Sequence, residues 1–218
     1  MEYRKLQKSF FLRKDTLQIA KELLGKYLLT DIDGGGITGG KIVEVEAYLG
    51  KEDKASHGYN GRRTKRSENL YGEGGGAYVY FCYGIYYLFN AVTGKENTAN
   101  AVLIRAIEPT TGTDVMLKRK MERNKHNTVS AAAINRIASG PGLLTIALGI
   151  DLRHDGVAIC CGDSKNNGNK LEIWIEDRGM KIPEKDIAAT SRVGVDYAEE
   201  YASLPWRFKI RGNKWVSK

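Results

Sequence analysis

Residues 78 to 90 read Tyr78-Val-Tyr-Phe-Cys-Tyr-Gly-Ile-Tyr-Tyr-Leu-Phe-Asn90. An aromatic-rich run interrupted once by Tyr83-Gly84 is the pattern of two strands joined by a tight turn. The stretch holds five of the chain's 12 tyrosines. Tyr83, at the tip, would stand exposed, where packing has no use for a large aromatic. A wedge pushed between nucleic-acid bases does. Two registers remain open. A two-residue loop at Tyr83-Gly84 sets Tyr80 and Asn90 on opposite faces. A three-residue loop, Cys82 to Gly84, pairs Tyr80 with Tyr86 and puts Asn90 on the face of Tyr80.

Upstream, Asp15 followed by Gln18 reads as a helix N-cap with its reciprocal partner. Leu17, Ala20, Leu23 and Leu24 repeat at helical spacing, and Gly25 can close the helix. A strand over 26–31 leads into a glycine-rich turn, Asp33-Gly-Gly-Gly with Gly39-Gly40, and a return strand over 41–48. Residues 50–76 form a long polar loop with Arg62, Arg63, Lys65 and Arg66, a length uncommon unless the loop is functional or disordered. Downstream, 101–107 is a strand stopped by Pro109. Residues 114–123 form a basic helix, whose ordinary reading is a solvated face and whose functional reading is a surface tracking phosphates. Helices flank Ser139-Gly-Pro-Gly142, and residues 164–170 are a surface turn. Hairpin signals outnumber crossover units. The expected fold is therefore α+β, with a curved, mainly antiparallel sheet, flanking helices and a protruding β-hairpin, in a single compact domain spanning 1–218.

The formal net charge of +8 and a sequence pI near 9.3 favour a polyanionic partner. Aromatic faces stack on bases while Lys and Arg neutralise phosphates, so the combination points to nucleic acid. No 18-residue apolar run suggests a membrane span, and the N-terminus lacks the apolar core of a secretory signal. A cytoplasmic, nucleoid-associated monomer is expected. Cys82, Cys160 and Cys161 contain no Cys-x-x-Cys pair and no disulfide framework. His57, His126 and His154 are scattered, and no metal or other cofactor is expected. Buried structural thiols are the ordinary reading of Cys160 and Cys161.

Alternation along Ile42-Val-Glu-Val-Glu-Ala-Tyr48 puts Val43, Val45 and Ala47 on one face, the core, and Glu44, Glu46 and Tyr48 on the other. A solvated acidic face is the ordinary reading. Phosphate would repel a carboxylate there, so on this basic chain it is better explained by a task, such as positioning a water or a cationic centre. His57, in Ala-Ser-His-Gly, reads by pattern as a surface-loop residue. Ser139-Gly-Pro-Gly142 is either a helix break or a helix start that holds a phosphate.

These pieces, in this order, resemble the alkyladenine (3-methyladenine) DNA glycosylase family. The segments carrying the resemblance are Ile42-Val-Glu-Val-Glu-Ala-Tyr-Leu-Gly with Glu52-Asp53 and His57; Tyr78-Val-Tyr-Phe-Cys-Tyr-Gly-Ile-Tyr; Val102-Leu-Ile-Arg-Ala-Ile-Glu-Pro; Ser139-Gly-Pro; Arg192-Val-Gly-Val; and Trp206-Arg-Phe-Lys-Ile-Arg-Gly with Trp215. Each is weakly specific alone, and six in order are highly specific. The resemblance runs from near Leu17 almost to the C-terminus, and no long N-terminal extension is expected. It implies a monofunctional hydrolase of base excision repair. Such an enzyme flips alkylated purines, hypoxanthine or ethenoadenine out of double-stranded DNA. It then cleaves the N-glycosidic bond without a metal or lyase step, leaving an abasic site. It implies Glu46 as the general base, Arg105 as the arginine beside it, and Tyr48, His57 and Tyr80 as the base pocket. Asn90 would crowd the amino group of guanine, and Tyr83 would intercalate. Leu143 departs from the pattern, because many members carry lysine there, and a phosphate contact is in doubt at that point.

Two other classes stay open on the sequence. A non-catalytic nucleic-acid-binding module would use the same hairpin and gain nothing from Glu46. An RNA-processing enzyme would use the same fold on a different sugar.

Overall fold

The computed structural model describes residues 3–32, 34–124, 134–160, 165–166 and 169–217. Asp33, His126, Cys161, Ser164, Asn167 and Gly168 of the 164–170 turn, and most of the helix expected before Ser139 lie outside the described residues.

The strands are β1 (Arg4–Lys5), β2 (Tyr27–Ile32), β3 (Ile37–Leu49), β4 (Ala77–Cys82), β5 (Tyr86–Thr93), β6 (Asn100–Thr111), β7 (Lys165–Asn166), β8 (Asn169–Asp177), β9 (Ile187–Thr190) and β10 (Arg207–Ile210). They form one open sheet with the order β1-β8-β2-β3-β6-β5-β4, to which β10 adds along β3 and carries β9. Every pairing among the described residues is antiparallel. The α-helices described are α1 (Lys8–Phe11), α2 (Thr16–Leu23), α3 (Thr113–Asn124) and α4 (Pro141–Leu148). The mixed α+β class is as the sequence predicts.

Strand β3 organises the molecule. Its first half pairs with β2 and its second half with β10 along the same edge, while β6 runs along the other. Gly39 and Gly40 belong to this strand rather than to the turn the sequence suggests. They are needed for closeness: a Cβ on Gly40 would lie 2.1 Å from the Glu108 carbonyl oxygen, and one on Gly39 2.5 Å from that of Leu28. Pro109 does not stop β6, which runs on to Thr111. Pairing of β6 with β5 covers Asn100 to Leu103 only, so at Pro109 the strand has β3 alone as partner and the missing N–H can face away from the ladder.

One face of the sheet carries Val45, Ala47, Val79, Phe89, Val102, Ile104 and Phe208 into the main core, against Ile19 and Leu23 of α2 and Leu144 and Leu148 of α4. Helix α2 starts as expected, with Asp15 accepting from the Gln18 N–H (2.9 Å), but the Gln18 side chain turns to Glu22 instead of back to the cap. Gly25, at φ 84°, closes it. In α3 the basic residues divide: Arg119 donates inward to Thr38 and the Ala147 carbonyl, and Lys120 is buried, so this helix is not a free row of cations.

The other face is covered by the segment read as a long polar loop. It is built of three 3-10 turns, Gly50–Glu52, Tyr59–Gly61 and Lys65–Tyr71. Thr64 and Ser67 cap the last one reciprocally. Leu70 and Tyr71 from this segment pack onto Tyr78, Val92 and Ala101. Cys160 is buried in the main core.

Candidate active site

Register gathers the site. Tyr78 lies opposite Asn90, Asn90 opposite Leu103, Leu103 opposite Glu46, and Glu46 opposite Arg207. Directly opposed residues share a face, and so do residues two apart along a strand. Tyr80, Arg105 and Tyr48 therefore join this row on the face away from the main core. The β3–β6 ladder shifts register at Glu44, which pairs with Ala106 beside Arg105, and is back in step at Val45 opposite Ile104. Irregularities of this kind re-aim side chains beside functional sites.

The hairpin settles the open register. The Ile85 N–H bonds to the Cys82 carbonyl (3.1 Å) across Tyr83 and Gly84, both at positive φ, while the ladder resumes at Cys82 opposite Tyr86. The turn is thus at Tyr83-Gly84, Ile85 is left over as an extra residue, and Asn90 falls on the face of Tyr80. Neither sequence register has this combination. Tyr83 is 86% exposed.

These residues line a cavity of about 500 Å³ between the sheet, the 50–76 segment and the loop beginning at Arg192. The acidic face is not the solvated one of the ordinary reading but buried: Glu44 and Glu46 are both 0% exposed. Glu46 Oε1 accepts from the Val193 backbone N–H (2.8 Å) and faces Arg105 Nη1 at 3.1 Å. Glu46 Oε2 accepts from the Tyr48 hydroxyl at 2.9 Å. Burial, followed by the Glu46 charge, pushes the Tyr48 phenol well above its ordinary value, so it remains a donor. Burial alone would lower the Arg105 guanidinium, but Glu46 and Glu44 outweigh it and hold the cation in place.

The walls are aromatic. The His57 ring meets Tyr80 edge-on at 4.6 Å, and its Nδ1 lies 2.8 Å from the Tyr78 hydroxyl. Burial, with Arg66 and Arg62 adding to it, pushes the His57 imidazole down to about 4, although water at its exposed edge weakens that push. His57 is therefore neutral at pH 7. Asn90 is buried and donates from Nδ2 to the Tyr78 carbonyl (3.1 Å), which fixes its amide. The Tyr83 hydroxyl leans over the mouth towards Gly194, whose Cβ position would be 3.9 Å away. Every site residue predicted from the sequence lines this cavity.

Sequence reasoning gave no role to several residues that shape the site. Arg192 and Asp53 form a fully buried ion pair, at 2.5 and 2.9 Å, that ties the 50–76 segment to the loop supplying Val193. Arg192 also stacks over the rings of Tyr48 and Trp206, 4.7 and 5.0 Å from their centroids. No short-range pattern links Asp53 to a partner so distant in the chain; both occur only within segments quoted for the resemblance. The Ser139-Gly-Pro turn docks on β6, with the Gly140 N–H bonded to the Arg105 carbonyl (3.1 Å) and Pro141 at the cavity wall.

Among the described residues no helix is long and apolar enough to cross a membrane, and no cluster of three or more His, Cys, Asp or Glu side chains is placed to hold a metal ion.

Residues 9–214 match the family model described as methylpurine-DNA glycosylase (MPG). The chain is 45% identical over 213 residues to a protein of Clostridium beijerinckii, covering 98% of each. It is 43% identical over 208 residues to one of Clostridium botulinum, covering 95% of this chain and 96% of the relative. It is also 43% identical over 209 residues to one of Chlamydia felis, covering 96% and 97%. Each of these relatives carries the name "Putative 3-methyladenine DNA glycosylase". With a family model spanning nearly the whole chain and relatives alike from end to end, this protein belongs to the methylpurine-DNA glycosylase family and is a DNA glycosylase of the 3-methyladenine type.

Proposed function

We propose that the protein extrudes a damaged purine nucleotide from duplex DNA into the cavity on the second face of the sheet and hydrolyses its N-glycosidic bond. Chemistry at a base cannot proceed inside the stack, so extrusion comes first, at a cost of a few kcal/mol. Tyr83 fills the vacated space, and an aromatic stack on a base is worth about 1–3 kcal/mol. His57, Tyr48 and Tyr80 grip the extruded base.

The observation that carries the reading is the Glu46 carboxylate, buried at the floor of an aromatic cavity and fixed on both oxygens by Tyr48, Val193 and Arg105. A fixed anion there stabilises the sugar cation that develops as the bond breaks. It also accepts a proton from water. The water oxygen bonds to C1′, the C1′–N bond breaks with its electron pair leaving on the base, and the water proton passes to Glu46. The products are the free base and an abasic site.

An alkylated purine already carries positive charge and departs as a neutral molecule. Hypoxanthine and ethenoadenine are neutral and must be protonated to leave as easily. The neutral imidazole of His57 is not a strong acid for that purpose. Alkylated purines are therefore the fastest substrates and neutral lesions slower ones. Asn90, held rigidly, crowds guanine, and Asn90→Ser raises release of normal guanine; an unchanged guanine background removes it from the selectivity argument.

Among the described residues no lysine lines the cavity, which supports a monofunctional hydrolase without a Schiff-base step. Chromatography of the released base, with alkali cleavage of the remaining strand, tests the reaction. The expected products are intact base and an alkali-labile site, with no adduct trapped by borohydride. A trapped adduct overturns the monofunctional reading.

A further inference from the structure

Directly behind Glu46 lies a second buried carboxylate that the proposed chemistry leaves unused. Glu44 Oε1 accepts from Arg105 Nε (2.8 Å), Arg207 Nε (2.7 Å) and Ser217 Oγ (2.9 Å), and Glu44 Oε2 accepts from the Ser217 backbone N–H (2.6 Å). Four donors hold Glu44 in place, and it is fully buried, out of reach of a water in the cavity. Nor does it line the cavity, whereas Glu46 and Arg105 do.

The geometry points to Glu44, closed in by Ser217 of the C-terminal tail, as a positioning residue that holds the Arg105 guanidinium in the one orientation that leaves Glu46 able to accept a proton. The inference rests on the proposed roles of Glu46 and Arg105. Arg105 is a planar fork whose nitrogens are all engaged: Nε on Glu44, Nη2 on Ser217 Oγ (3.3 Å) and Nη1 on Glu46 (3.1 Å). Guanidinium prefers to meet a carboxylate with two nitrogens at once. With two of its three nitrogens anchored behind, Arg105 can offer Glu46 only one. Without that anchor the fork would turn onto Glu46 bidentately and occupy the oxygen that must take the water proton.

Charge supports the same assignment. Arg105 and Arg207 balance Glu44 and Glu46, so the cluster is neutral. Burial pushes the Glu44 carboxyl up, but Arg105, the Ser217 N–H and Arg207 outweigh it and keep it ionised. Loss of the Glu44 charge would leave an uncompensated guanidinium beside a developing sugar cation, which it would repel.

The test is a double-mutant cycle read by single-turnover release of 3-methyladenine from alkylated duplex DNA, with duplex Kd measured in parallel. Glu44→Gln is expected to slow release by about 10-fold or more while Kd changes less than about twofold. Arg105→Gln is also slow, and the double variant is no slower than Arg105→Gln, because Glu44 acts only through Arg105. Full rate in Glu44→Gln, or losses that multiply, overturns the inference. Should Glu44→Gln not fold, Ser217→Ala decides: release slowed about threefold with unchanged Kd supports the anchor, and wild-type release removes it. Glu46→Gln, run alongside, separates the two claims. If it retains turnover, the general-base reading fails. If it is inactive while Glu44→Gln is fully active, only the positioning role fails.

Discussion

At the residue scale, the site depends on which groups are held neutral and which ionised. His57 has its imidazole lowered from an ordinary 6.5 to about 4. The unfolded chain therefore takes up that proton first as pH falls. His57 favours the folded state fully above pH 6.5, and its contribution declines as pH drops from about 6.5 towards 4. Its ring resonances in NMR should titrate below 6.5, shifted towards 4, and a midpoint at 6.5 would place His57 in ordinary solvent. Tyr48→Phe removes one donor from Glu46 and leaves the ring in place. A lost hydrogen bond of this kind is worth about 0.5–1.5 kcal/mol, so release should slow roughly 3–10-fold. An unchanged rate would show that the Tyr48 hydroxyl does not help fix Glu46. Strand alternation alone placed Glu44, Glu46 and Tyr48 together, and that much was legible in the sequence. Burial of the two carboxylates was not. Glu44 is enclosed by Arg105, Arg207 and Ser217, which lie 61, 163 and 173 residues away in the chain.

At the scale of elements, the hairpin and β3 carry the argument. Tyr83 sits at φ 51°, a left-handed conformation that costs a side chain with a Cβ about 1–2 kcal/mol. Glycine would relieve that cost. Tyr83→Gly should therefore raise the Tm slightly while weakening binding to lesion duplex more than to single strand. Equal losses on both DNA forms would argue against a wedge. Within β3, Gly40→Ala drives a methyl group against the Glu108 carbonyl, and thermal unfolding should show roughly 2–4 kcal/mol of lost stability. A neutral result would mean that β3 and β6 can part there without cost. The aromatic alternation and the Tyr83-Gly84 break were enough to read a hairpin. Its register was not, because Ile85 enters as an extra residue that no period-two pattern marks. The glycine pair in β3 was misread as turn for a related reason: glycine serves both for left-handed turns and for close strand approach, and only the partner strand distinguishes them.

At the scale of the molecule, one sheet separates two tasks. Its helix-covered face holds the main apolar core, and its other face, roofed by the 50–76 segment, holds the cavity. We propose that the 218 residues form one domain, which should unfold in a single cooperative transition. The net charge of +8 favours DNA without sequence preference. Binding to undamaged duplex should weaken by roughly a hundredfold or more between about 50 and 200 mM salt. Salt-independent binding would deny the phosphates their part. Hairpin signals made the α+β class legible, but the strand order was not, since β10 joins β3 from the far end of the chain. The most direct test of the account compares single-turnover release of 3-methyladenine from alkylated duplex DNA by the wild-type protein and by Glu46→Gln. Loss of general-base catalysis and of the fixed anion predicts a rate lower by about 10²–10⁴-fold, with lesion binding retained. Release by Glu46→Gln at the wild-type rate would contradict the assignment of Glu46 as the base.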